Sequence, residues 1–225
     1  RRMDIVVPPK ENKSKPRQIE GAYVKDPICG MHKWVVSFDV ASLYPHIIMQ
    51  YNMSPETIVN INNPGVSVEK LLDEVAIDIP ANYCMSATGQ YFKTDVDGVL
   101  PKMIQKLYNE RNVVKKQMLE IDQKLEQEKD PVNIKFLEKE STKRYNQEQA
   151  IKILMNSLYG AMSNEFFRYY DMRIAESITI TGQLTIQWAE KRINQYLNKL
   201  LKTDGCDYVI AIDTDSLYIN FGPLV

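Results

Sequence analysis

Apolar and polar residues follow different rhythms along this chain, and each rhythm predicts an element. From Lys33 to Val40, KWVVSFDV, β-branched and aromatic residues run together, which predicts a buried strand. Ser42 stands where it can cap a helix, and LYPHIIMQYN carries that helix to about Asn52. Pro45 falls in the first turn, where its missing N–H costs little. Residues 53–100 keep no sustained period and read as irregular structure with short strands, closing in a turn at DVDG. Pro101 then opens a long helix to about Lys129, because Ile104, Leu107, Val114, Met118, Ile121 and Leu125 keep a three-four spacing. Asp130-Pro131 breaks it. A second helix runs from about Ile134 to Tyr159, with Gly160 as its stop. Two antiparallel helices joined by so short a turn form a projecting hairpin. A third long helix spans Met172 to Leu201, and DYVIAIDTDSLYINF has the pattern of a β-hairpin. The first 32 residues are polar and carry Pro8, Pro9, Pro16 and Pro27, which suits an extended segment hugging a surface.

Composition changes this picture little. The chain has 225 residues and is 44% hydrophobic, enough to bury a core of one or two units. With 28 basic and 29 acidic residues the net charge is −1, which argues weakly against a nucleic-acid binder. The distribution softens that objection, since basic residues crowd Arg1 to Arg17 and Lys102 to Lys152, and a local stripe is enough to meet a phosphate backbone. Cys29, Cys84 and Cys206 show no metal-ligand spacing and read as reduced thiols of a cytosolic protein. No run approaches a membrane span and no signal-peptide pattern opens the chain. Both ends, Arg1 and Val225, read as cuts from something longer.

The acids carry more information. Asp213 and Asp215, in IDTDS, sit at the apex of a hairpin whose flanks YVIAI and LYINF are too apolar for a solvent loop. Turn chemistry alone accounts for one of them. Asp39 ends another hydrophobic run in the same way. If the two elements are neighbours in one sheet, three carboxylates converge, which is costly unless cations occupy the spot. Hard oxygen ligands select Mg²⁺ or Mn²⁺, and two such ions about 3.5–4 Å apart form a clamp for in-line phosphoryl displacement.

Cations are arranged on the two hairpin helices. Lys152, Asn156 and Tyr159 fall at i, i+4 and i+7 and share a face, with Ile151, Leu154, Leu158 and Ala161 opposite. Such a polar face is ordinarily just solvated, and Lys152 alone would not argue otherwise. Arg111, however, occupies the seam of the first helix where the spacing predicts an apolar residue, and Lys115 follows one turn later. A charge on the seam needs a partner. Together these residues could grip a triphosphate.

At these positions the chain resembles the family-B DNA polymerases, in particular those of T-even-type bacteriophages. DVASLYP at 39–45, KILMNSLYG at 152–160 and DTDS at 213–216 match the family's three motifs in order, with a helical hairpin between the first and second. EGAYVKDP, before the first motif, extends the likeness over nearly the whole chain. The resemblance implies an α+β fold: a palm of antiparallel sheet and packed helices formed by 1–100 and 164–225, with a fingers hairpin at 101–163. It implies Asp39 and Asp215 as shared ligands of two Mg²⁺ ions (Mn²⁺ able to substitute), with Asp213 beside them and the Val40 carbonyl completing one shell. The backbone of Ala41, Ser42, Leu43 and Tyr44 would meet the triphosphate, with Arg111, Lys115, Lys152 and Asn156 holding it from the fingers. Tyr44 would lie under the sugar and exclude a 2′-hydroxyl. Tyr159 and Gly160 would shape the nascent base-pair pocket, and Gly21 and Ala22 would touch the template.

The implied reaction is template-directed transfer of a nucleotide from dNTP to a primer 3′-hydroxyl, in the cytoplasm of a bacterial host if the chain is phage-encoded. Primer–template DNA and dNTP are the implied partners, with a sliding clamp reached through a C-terminal part beyond Val225. No exonuclease acids and no thumb are found, so the 225-residue chain alone is expected to be weakly active or inactive. Two positions depart from the family pattern. Ile212 replaces the usual glycine before Asp213 and would bring bulk near the primer end, and His46 replaces a serine and reads as structural. Two rivals remain at this point. A reverse transcriptase or RNA-directed RNA polymerase also uses hairpin aspartates, but lacks a helical insertion with K-x-x-x-N-S-x-Y-G. A nucleotide-binding module without turnover would be told apart by primer extension.

Overall fold

The computed structural model describes residues 17–225. The prolines at 8, 9 and 16, and the basic crowd before Arg17, lie outside the described residues. Two antiparallel sheets and three long helices make up the body. The larger sheet has the order β1 (Val24–Lys25), β6 (Val209–Asp213), β7 (Ser216–Asn220), β2 (Val35–Asp39). The smaller has the order β3 (Ile58–Asn62), β5 (Gln90–Lys93), β4 (Tyr83–Met85). Between β2 and β3 lies α1 (Leu43–Gln50), and a short α2 (Val68–Leu72) follows β3. The stretch 53–100 thus holds the short strands its sequence suggests, paired across loops, with the one-turn α2 added.

The helical hairpin consists of α3 (Val99–Gln127) and α4 (Pro131–Met162). Asp130-Pro131 does more than break the first helix. The Asp130 carboxylate accepts from the Val132 N–H, and Pro131 takes the first helical position, where its fixed φ suits the start. The second helix therefore begins three residues earlier than Ile134. It also passes through Gly160 to Met162, so Gly160 is not its stop. Along α4 the inward stripe is Ile151, Met155, Leu158 and Met162, spaced four, three and four. Leu154 falls off that stripe and is exposed, contrary to its expected inward position. The third long helix, α5 (Met172–Leu201), starts at an Asp171 side-chain cap and has the expected bounds.

Two cores result. One joins α1, the base of the hairpin and the first half of α5 through Ile47, Ile48, Met53, Phe92, Ile104 and Ile174. The other seats the larger sheet on the second half of α5 through Ile186, Leu197, Val209, Ile212, Leu217 and Ile219. Strand β2 corrects an expectation. It is exposed along its length, with Phe38 51% accessible, although its composition reads as buried. Among the described residues it is an edge strand paired only to β7, and the second core is built from β6 and β7 without it.

Candidate active site

The register of the larger sheet assembles the acids. Asp39, the last residue of β2, lies opposite Ser216, the first of β7, and the Ser216 Oγ donates to Asp39 Oδ2 at 3.4 Å. The β6–β7 turn holds Thr214 in the left-handed region (φ 57°), and Val40 N–H donates to the Asp215 carbonyl at 2.8 Å. That bond ties the end of β2 to the turn, so Asp39 and Asp215 become neighbours. The Asp215 carboxyl is held above the usual carboxylate range, first by burial, then by the Asp39 carboxylate and, more weakly, by Asp213.

Both acids line a cavity of about 470 Å³. Its floor is the strand-to-helix turn: Ala41, Ser42, Leu43, Tyr44 and Pro45. Its far wall is the hairpin, with Arg111 from α3 and Lys152, Asn156 and Tyr159 from α4, and Thr214 closes the acid side. Ser42 does not cap α1 with its side chain, as its type suggests. It adopts a left-handed backbone (φ 56°), and its carbonyl accepts from His46 Nδ1 at 3.0 Å. His46 is otherwise exposed and stands edge-on to Tyr108, consistent with a structural part. The Tyr44 and Tyr159 rings pack against each other with centroids 4.8 Å apart. Burial, helped by Tyr159 and Asp215, pushes the Tyr44 hydroxyl up to about 12, so it is an un-ionised phenol at any ordinary pH.

Ten of the sixteen residues singled out from sequence stand on the cavity wall: Asp39, Ala41, Ser42, Leu43, Tyr44, Arg111, Lys152, Asn156, Tyr159 and Asp215. Val40, Asp213, Lys115, Gly160, Gly21 and Ala22 do not. Asp213 is exposed, and its Oδ1 accepts from the Thr214 hydroxyl at 3.0 Å. Lys115 and Gly160 are likewise exposed on their helices. Gly21 is held from behind, its carbonyl accepting from Gln183 Nε2 of α5 at 2.8 Å. Tyr23, two residues on, accepts at its carbonyl from the Thr214 N–H at 3.1 Å, so this segment is bonded directly to the acid turn. Ile212 is 1% accessible and points into the core under the sheet, away from the cavity, so it brings no bulk towards the acids.

Glu148 was missed from sequence. It is almost wholly buried between the helices, and its Oε1 accepts from Arg111 Nε at 2.7 Å and from Nη2 at 2.6 Å. Gln149 Nε2 donates to its other oxygen at 2.8 Å. Arg111 is therefore a paired cation with one edge towards the cavity, not a free one. Lys152 makes no ion pair among the described residues.

Divalent ions suit this donor set, although less fully than three converging acids would. Among the described residues no group of three or more His, Cys, Asp or Glu side chains is gathered closely enough to hold a metal. Asp39 and Asp215 are nonetheless two hard-oxygen donors that make no ion pair there, and the Asp39 carboxylate disfavours the charge on Asp215. Mg²⁺ is commonly held by only one or two carboxylates together with water and substrate phosphates, so a pair is sufficient.

An antiparallel sheet bearing paired acids, faced by a helical hairpin bearing cations, is the palm-and-fingers arrangement that the motif resemblance implies for a polymerase. The chain belongs to DNA polymerase family B, whose family model matches residues 1–223. It is 34% identical over 242 aligned residues to a DNA-directed DNA polymerase of Escherichia phage RB69, an alignment covering 91% of this chain and 27% of that protein. To the DNA-directed DNA polymerase of Enterobacteria phage T4 it is 33% identical over 251 residues, covering 94% and 28%. To DNA polymerase 1 of Pyrococcus abyssi it is 34% identical over 199 residues, covering 88% and 21%. The chain thus spans about a quarter of the length of these relatives.

Proposed function

We propose that this chain carries the nucleotidyl-transfer site of a DNA-directed DNA polymerase, with palm segments at 1–100 and 164–225 and a fingers hairpin at 101–163. The observation that carries the reading is the single cavity wall shared by Asp39 and Asp215 on one side and Arg111, Lys152 and Asn156 on the other. Opposite charges facing across such a gap suit a substrate that is a polyanion bridged to cations.

In this reading a deoxynucleoside triphosphate enters between the hairpin and the floor. Lys152 and the outer edge of Arg111 bind its phosphates, Asn156 donates a neutral hydrogen bond, and the start of α1 contributes its N–H groups. Tyr44 and Tyr159 pack at a tilt as one aromatic wall, with Tyr44 under the sugar. Asp39 and Asp215 would hold two Mg²⁺ ions, with Asp213 and the Val40 carbonyl able to join them if the turn tightens on loading. When bound, such ions lower the pKa of the attacking primer hydroxyl and neutralise the charge on the leaving pyrophosphate. The protein's own share is orientation and fixed charge. Gly21 and Ala22, tied to the acid turn through Tyr23 and Thr214, would set the template base relative to that turn.

Primer extension by the full natural chain tests this. Wild type should extend a primer only with dNTP and Mg²⁺ or Mn²⁺. Asp39→Asn should abolish extension while its circular dichroism and melting temperature stay those of wild type. Extension by Asp39→Asn at a rate within tenfold of wild type would refute the assignment.

A further inference from the structure

Gly182 lies inside α5 and is buried, and its backbone is ordinarily helical. Nothing in its conformation calls for glycine, and a helix interior disfavours glycine relative to alanine. Its neighbour supplies a steric reason. A Cβ built at 182 would stand 2.8 Å from Tyr44 Cε1 and 3.5 Å from Cδ1, while its next contact, Ile47 Cδ1, is an unremarkable 3.7 Å. At 2.8 Å one partner has to move. The helix is fixed by its buried neighbours Ile178, Thr179, Thr181 and Ile186, so the ring is the part that yields.

Its routes of retreat are few. Tyr159 also packs against Tyr44, with ring centroids 4.8 Å apart at a tilt of 45°. The helix that carries Tyr44 is anchored by buried Leu43, Ile47 and Ile48. The open direction is the cavity that Tyr44 lines. We propose that Gly182 is a positioning residue that sets how deep the Tyr44 ring sits, and thereby how much room the cavity leaves beside a nucleotide's 2′ carbon. The inference rests on the reading of the cavity as a nucleotide site. It adds that sugar selection is set from behind the ring by an α5 residue that never touches substrate.

The test is a double-mutant cycle in the full natural chain, measuring single-nucleotide insertion with deoxy- and ribonucleoside triphosphates. Gly182→Ala should push the ring forward, raising KM for the deoxynucleotide about three- to tenfold with kcat little changed, and reducing ribonucleotide use by a larger factor. In the Tyr44→Ala background, where no ring remains to be displaced, the same substitution should change either sugar by less than about twofold. Equal losses in both backgrounds, or a Gly182→Ala enzyme indistinguishable from wild type, would overturn the role of Gly182 and leave the nucleotide site standing. If Tyr44→Ala alone fails to alter sugar preference, the reading of Tyr44 falls, and this inference with it. If Gly182→Ala does not fold, Gly182→Ala/Tyr44→Ala must recover the fold; failure of the double variant also overturns the proposal.

Discussion

Arg111 offers a perturbation whose consequences can be worked from the structure. Its guanidinium gives two hydrogen bonds to one oxygen of Glu148, and their side chains are only 17% and 7% accessible. Breaking a buried pair by removing one partner costs about 3–5 kcal/mol, because the survivor keeps its charge without compensation. Water reaches Arg111 from the cavity, so a figure at or just below the foot of that range, about 2–3 kcal/mol, is the better one here. Arg111→Ala leaves the more deeply buried carboxylate alone and should be the worse single change. Glu148→Gln keeps an acceptor for one N–H and should cost about 1–2 kcal/mol. At roughly 2–4 °C per kcal/mol for a domain of this size, Arg111→Ala should lower Tm by about 4–12 °C. Arg111→Met with Glu148→Leu, two apolar residues of similar length in the same place, should recover most of the loss. Thermal unfolding of these four proteins, with the single variants Arg111→Met and Glu148→Leu added to close the cycle, gives the coupling.

The same four proteins separate structure from function. The double apolar variant should be stable yet should bind nucleotide as poorly as Arg111→Ala, since both lack the phosphate contact. Glu148→Gln leaves Arg111 less well oriented, so it should raise KM for dNTP while retaining most of kcat. If Arg111→Ala melts with wild type, the pair is not the buried contact its geometry describes and the reasoning fails. If the double variant regains nucleotide affinity along with stability, Arg111 is a structural residue alone.

Asp215→Asn in the full natural chain should reduce primer extension by a factor on the order of 10³ or more, and should abolish any Mg²⁺-dependent rise in Tm; an unchanged Mg²⁺ response would show that the ions bind elsewhere. Lys152→Ala, which breaks no ion pair, should raise KM for dNTP about ten- to hundredfold with Tm nearly unchanged, and a large fall in Tm at constant affinity would make Lys152 structural. Tyr44→Ala should raise ribonucleotide insertion at least about tenfold relative to deoxynucleotide, measured by single turnover; proportional loss of both would place the sugar filter elsewhere.

Much of the frame was legible because it is local. The three-four spacing of α3 located that helix to within two residues, α5 kept its expected bounds, and the apolar flanks of Asp213 and Asp215 located the hairpin. What failed was what depends on a neighbour. The composition of β2 could not show that it would be an edge strand. Ile212 looked obstructive beside Asp213, yet strand alternation sends adjacent side chains to opposite faces, which puts Ile212 in the core. Gly182 has no local signature at all, since its reason lies on another helix.

Glu148 is different, because its role could have been inferred from the two helical phases taken together. On α3, Arg111 shares a stripe with Ile104, Leu107, Val114 and Met118, each buried or partly buried. On α4, Glu148 shares a stripe with Ile151, Met155, Leu158 and Met162. Each helix therefore carries one charge of opposite sign on the face it turns to its partner. Two helices joined by a short turn must face each other along those stripes, so the two charges have to meet or leave each other buried and unpaired. Taken alone, α3 offers Arg111 only a phosphate as partner, because its carboxylate stands on the other helix. A cation that grips a substrate from a projecting helix needs something holding it in place between turnovers, and the helix packed behind it is where that group has to stand.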